Sequence, residues 1–179
     1  MTIIAEDGSG LADAESYCDV TFADTYHSNR ANTAWALLTT AIKEANLRKA
    51  TDYMLGQYRM RWLGRRVTIT QALDWPRVGV VIEDLTGGAG VASYGLFQLS
   101  FTIVPVEVKN ACAELALRSS ASALIIDQTQ KVIQETVGPV TVKYDSNAPQ
   151  QIQYSQIDAM LRVYLTAGGN MAMVKLIRT

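Results

Sequence analysis

Along the chain, apolar residues recur at two clear spacings, and these mark out the elements. Leu47, Ala50, Thr51, Met54, Leu55 and Tyr58 fall at i, i+3, i+4, i+7, i+8 and i+11, one face of an α-helix. With Thr40 as its N-cap, the spacing predicts a helix over 41–59, and Gly64 breaks the period. Val108, Ala111, Cys112, Leu115, Ala116 and Ser119 make a second stripe, running from Pro105 in the first turn to about Leu124. Thr21 and Asp24 resemble a capping box and predict a short helix over 22–30. Ser155 is placed to cap a last helix over 156–166, on the stripe Ile157, Met160, Leu161 and Tyr164.

Strand-like patterns are fewer. Residues 2–5 form a short β-like run ended by Asp7-Gly8-Ser9-Gly10. The runs 132–136 and 140–144, joined through Gly138-Pro139, give the strongest hairpin signal. Residues 84–103 lack a clear period, carry Gly87, Gly88 and Gly90, and read as an inserted loop or hairpin. Pro76 pushes Trp75 out of the α region, so 71–75 reads as a turn or a single helical turn. After Gly168-Gly169 the chain ends in an apolar tail with Met171, Met173, Val174, Leu176 and Ile177. The domain expected is therefore 1–167, with 168–179 as a docking tail.

Composition adds that the chain is a folded one: 49% of its 179 residues are apolar and 18% charged. No apolar run reaches the roughly 20 residues of a membrane span, and the first residues do not read as a secretory signal. Cys18 and Cys112 stand far apart without a CxxC spacing. They read as free thiols of a protein folded in a cytoplasm, with a disulfide as the alternative.

Charge changes the picture more. Residues 48–77 hold Arg48, Lys49, Arg59, Arg61, Arg65, Arg66 and Arg77 against Asp52 and Asp74, in a chain of net charge −1. Tyr53, Tyr58, Trp62 and Trp75 lie in the same stretch, while the first 29 residues carry six acidic side chains and no lysine or arginine. Such a split suits a polyanion or an oppositely charged copy of the same chain. Arg59, Arg61, Arg65 and Arg66 can grip phosphates while exposed aromatics stack on unpaired bases. In the other reading the aromatics are core anchors. Glu6, Asp7, Asp13 and Glu15 read as a solvated acidic face and as the partners of a neighbour's arginines.

Catalytic equipment is missing from the pattern. The single histidine, His27, reads as a surface or edge residue, without a nucleophile or base near it. No G-x-S-x-G, H-E-x-x-H or Cys/His cluster occurs, and Gly87-Gly88-Ala89-Gly90 lacks the Gly-Lys-Ser/Thr of a phosphate loop. The expectation is a protein that is not an enzyme, with no cofactor and no metal.

The motifs EDGSGLADAESY at 6–17, ADTY at 23–26, KEANLRKATDY at 43–53, GRR at 64–66, QALDWPR at 71–77, VPVEVK at 104–109, AELA at 113–116 and ETVGP at 135–139 stand in one order. As an ordered set, followed by the helix after Tyr154, they resemble the head–tail connector (adaptor) proteins of tailed bacteriophages. The branch resembled is the one often labelled a primosomal-type single-stranded-DNA-binding protein. The likeness implies a mainly α fold, a small helical bundle with a β-hairpin and extended N- and C-terminal arms. It also implies a ring of twelve copies in the virion neck, assembled in the bacterial host cytoplasm. That ring would contact the portal protein and the next neck or tail-completion protein, and double-stranded genomic DNA would pass through its channel. In that frame the four arginines face DNA or a neighbouring subunit, and the apolar tail docks on the portal. The alternative is a single-stranded-DNA-binding protein using 48–77.

Overall fold

The computed structural model describes residues 2–82, 97–126, 134–137, 140–143 and 152–166. Within them the chain is mainly helical, with five α-helices and a small two-stranded hairpin. The order is α1 (Val20–Ser28), α2 (Thr33–Ala36), α3 (Thr40–Tyr58), β1 (Arg65–Arg66), β2 (Arg77–Val78), β3 (Val81–Ile82), β4 (Phe97–Gln98), α4 (Val106–Ala121), β5 (Gln134–Val137), β6 (Val140–Lys143) and α5 (Ser155–Leu161). A single 3-10 turn, Arg162–Tyr164, follows α5.

The two strongest apolar stripes form the centre. α3 packs along α4, α5 lies against α4, and α1 touches both central helices. α3 buries Asn46, Leu47, Ala50, Thr51, Tyr53, Met54 and Tyr58: the expected face, on which Leu55 is only partly buried, plus Asn46 and Tyr53. α4 buries Val108, Ala111, Cys112, Ala113, Leu115, Ala116 and Ser119. Small residues dominate that second list, so the α3 side chains can sit close to the α4 backbone.

Helix starts differ from expectation by a residue or two, each for a visible reason. α1 is capped by Asp19, whose Oδ1 accepts the Phe22 N–H at 2.7 Å, rather than by Thr21. Asp24, expected in the capping box, instead accepts from Trp35 Nε1 at 2.6 Å and Lys43 Nζ at 2.8 Å. Burial works against the Asp24 carboxylate, yet these two bonds outweigh it and hold its pKa below the usual range. Thr39 caps α3, Pro105 sits at the N-cap of α4, and α5 starts after Tyr154 without a side-chain cap.

His27 corrects an expectation: it is buried, 1% exposed. Its Nε2 lies 3.0 Å from the Ala113 carbonyl, so Nε2 carries the proton and Nδ1 accepts from Asn32 Nδ2 at 3.0 Å. Both nitrogens are satisfied, and the ring joins α1 to α4. Burial pushes its pKa down.

Both cysteines are free and buried. Cys112 Sγ sits 3.6 Å from Ser16 Oγ and 3.5 Å from Thr51 Oγ1, and Ser16 Oγ also accepts the Cys18 N–H at 3.3 Å. The hydrogen bond between the thiols pulls Cys112 down to about 7, while that bond and burial push Cys18 up.

The three small ladders are antiparallel. β1 pairs with β2, Arg65 opposite Val78 and Arg66 opposite Arg77. β3 pairs with β4, Val81 opposite Gln98, so the residues just before the irregular 84–103 stretch run alongside Phe97–Gln98 within it; 83–96 lie outside the described residues. β5 pairs with β6 in the register Val137 opposite Val140, the hairpin read from the sequence. The apolar tail from Met171 also lies outside the described residues.

Candidate nucleic-acid interface

The aromatic residues between 48 and 77 turn inward. Tyr53, Tyr58, Trp62 and Trp75 are at most 6% exposed. Their rings form a chain, Tyr154–Tyr53–Tyr58–Trp62–Trp75–Tyr164, with successive centroids 5.4, 6.5, 5.7, 5.6 and 5.6 Å apart. Mostly edge-to-face, these contacts bind α3 and the segment after it to α5. Burial pushes the Tyr53 hydroxyl up to about 12 and raises Tyr58 further. None of the four rings of the 48–77 stretch is free to stack on a base.

The chain enters β1 through a position that only glycine fits. Gly64 has φ +68°, and a Cβ there would run into the Val78 carbonyl. On the other side, residues 61–63 run beside 164–166: Leu63 N–H donates to Tyr164 O at 2.9 Å and Thr166 N–H to Arg61 O at 2.7 Å. The arginines are thus displayed on a segment clamped at both ends.

Their roles then separate. Arg77 is buried, and its guanidinium donates to three carbonyls: Leu63 at 2.7 Å, Asp74 at 3.1 Å and Gly64 at 2.8 Å. Arg48 pairs with Glu15 at 2.8 Å. Arg59 donates through Nε to Asp74 Oδ1 at 3.0 Å, and the Asp74 side chain is 1% exposed. Arg61 lies 3.6 Å from Asp158 and 5.4 Å from the Tyr58 ring centre. Arg65 and Arg66 are exposed on β1. Arg66 donates to the Gln71 carbonyl at 3.3 Å, and among the described residues no carboxylate pairs with either.

The acidic set departs from a solvated face. Glu6 is 2% exposed, and its carboxylate accepts the backbone N–H of Gly8 at 2.9 Å, Gly10 at 2.8 Å and Leu11 at 2.9 Å. It organises its own loop and has no surface to offer a neighbour. Glu15 is held low by Arg48 of the same chain. Asp7 accepts from the Ser9 hydroxyl and N–H, which lowers its pKa. Asp7 and Asp13 remain exposed. This acidic loop abuts the basic hairpin, since Leu11 O accepts the Ala72 N–H at 2.9 Å, so part of the charge split is closed within one chain.

Two side chains beside the arginines escaped the sequence reading. Met60 is 92% exposed and Ile69 90% exposed. The signal was there in outline: each is a lone apolar residue between polar ones, off any helical stripe. A concavity of about 410 Å³ lined by Asp24, His27, Asn32, Trp35 and Lys43 lies away from these residues. No group of three or more His, Cys, Asp or Glu side chains able to hold a metal occurs among the described residues. No described helix is long and apolar enough to cross a membrane.

Fold and surface define a small helical protein that keeps the aromatics of its basic stretch in its core and displays, on a short hairpin, arginines without a carboxylate partner among the described residues. Over residues 1–179 the chain matches the family described as "Putative DnaT-like ssDNA binding protein", and it belongs to that family. No curated protein and no solved structure matches it.

Proposed function

We propose that this protein binds single-stranded DNA through its phosphates, at the hairpin that carries Arg65 and Arg66. One observation carries the reading: Arg65 and Arg66, neighbours on β1, are both exposed and have no carboxylate partner among the described residues, while Arg48, Arg59 and Arg61 have one. A guanidinium fork left open in this way fits a phosphate's two oxygens. The family description names the same class of ligand. Because the rings are buried, affinity comes from phosphate contacts and counterion release rather than aromatic stacking.

Fluorescence anisotropy with a labelled oligothymidine, across a salt series, tests this. Affinity should fall linearly on a log–log plot, and Arg65→Gln/Arg66→Gln should flatten the slope by about 1.4, two contacts at about 0.7 each. A wild-type protein that binds no oligonucleotide even in the lowest salt sinks the proposal.

A second reading, the phage head–tail connector, is favoured by a different observation. Met60, Ile69 and Val78 are exposed apolar side chains beside the same arginines, a mixture that suits a subunit contact. In that reading the protein forms a ring between portal and tail, its arginines facing Asp7 and Asp13 of a neighbour or the DNA in the channel. Native mass spectrometry with portal present should then give a closed ring, and a persistent monomer counts against it.

A further inference from the structure

The turn after β1 is held in one shape by a side chain that is itself buried. Gln71 is 2% exposed. Its Oε1 accepts the Thr68 N–H at 2.9 Å, and Thr68 Oγ1 in turn accepts the Gln71 N–H at 3.1 Å. Gln71 Nε2 donates to the carbonyls of Leu73 at 2.9 Å and Pro76 at 3.1 Å. Just beyond, the Ala72–Leu11 bond ties the base of the turn to the N-terminal loop. The amide of one glutamine therefore fixes both legs of the turn, and Thr68, Ile69 and Thr70 project from it into solvent.

An isoleucine 90% exposed at the tip of a braced turn has no packing role among the described residues. Branching at Cβ leaves it few rotamers, so little side-chain entropy is lost when something settles on it. It stands three residues from Arg66, a stretch of at most about 10 Å of chain. A strand held by its phosphates on Arg65 and Arg66 has its bases within reach of that side chain. Among the described residues the aromatic side chains nearest to these arginines in sequence, Tyr58, Trp62 and Trp75, are buried and cannot take the place.

We infer that Ile69 is the base-contacting residue of this face: unpaired nucleobases of a strand anchored at Arg65 and Arg66 lie against its side chain. The inference rests on the phosphate-binding reading above and adds what that reading lacks, a reason to prefer one strand over two. Phosphates are common to single and double strands, whereas base faces are open only in the single strand. An aliphatic contact reads no hydrogen-bond pattern, so it is tolerant of sequence.

The experiment compares three probes of equal phosphate number: oligothymidine, the same length with abasic sites, and a duplex. Each is titrated against wild type, Ile69→Ala and Ile69→Thr, the last keeping the β-branch and therefore the turn. Both variants should bind oligothymidine about 5-fold more weakly with the same salt slope, while binding of the abasic strand is unchanged. The wild-type preference for oligothymidine over the abasic strand should then disappear. Equal oligothymidine affinity in wild type and variants overturns the inference and leaves phosphate binding standing. Equal weakening towards the abasic strand also overturns it, by assigning Ile69 to the shape of the turn. A variant that keeps its DNA affinity and loses self-association gives the side chain to a protein contact instead. Wild type that binds none of the probes removes both readings together.

Discussion

Arg77 carries its charge where solvent hardly reaches, with its fork closed on three carbonyls. Lysine has the charge without the fork and cannot satisfy all three. Arg77→Lys should therefore cost on the order of 3 kcal/mol in a urea melt. Arg65→Lys, on the exposed strand beside it, should move the midpoint within error. Equal effects would mean that charge, rather than fork geometry, is what position 77 supplies. His27 acts in the opposite sense, as a base kept neutral. Its pKa lies below the ordinary 6.5 because burial disfavours the imidazolium. The unfolded chain then takes up a proton that the fold refuses, so its contribution is full above about pH 6.5 and fades as pH falls through the folded pKa. Melts between pH 5 and 7.5 should show stability rising with pH, and His27→Gln should remove most of that slope. An unchanged slope would place the titration elsewhere.

At the scale of elements, the basic stretch divides into a scaffold and a display. The aromatic chain from Tyr154 to Tyr164 is the scaffold, and it holds α3, the 61–63 segment and α5 together. All three tryptophans, Trp35, Trp62 and Trp75, are at most 4% exposed. Tryptophan emission should therefore be blue-shifted, resist acrylamide and stay put when DNA is added; a shift or quench on binding would mean that a ring reaches the bases. What was legible in the sequence follows from the same division. Stripes at 3.6-residue spacing gave α3 and α4, because burial of a helix face is written locally. The β5–β6 hairpin was legible from its alternation and turn residues. Glu6 and His27 were not, since each was placed by partners that charge and composition do not reveal: loop amides for Glu6, and the Ala113 carbonyl, 86 residues away, for His27. The six arginines of the stretch looked alike in the sequence, and only the carboxylates beside Arg48, Arg59 and Arg61 and the burial of Arg77 separated Arg65 and Arg66 from the other four.

For the molecule as a whole, the acidic N-terminal segment turns out to be part of the body it was expected to complement in a neighbour. Glu6 organises its loop, Glu15 holds Arg48, and Leu11 ties that loop to the basic hairpin. The segment that carries these contacts also carries Cys18, whose N–H donates to the same Ser16 Oγ that lies against Cys112 of α4. Those are the only two cysteines in the chain, and both are out of reach of a reagent while the segment is seated. Thiol chemistry thereby becomes a clock for its lifting. A disulfide reagent should modify neither sulfur promptly in native buffer and both in denaturant. The native rate should follow the free energy of local opening. Glu6→Ala, which strips the loop of its organising carboxylate, should speed the reaction without any change at the cysteines. Prompt modification of the untouched protein would mean that the segment is unseated much of the time. The molecule needs no added label to report how firmly its first 19 residues are held.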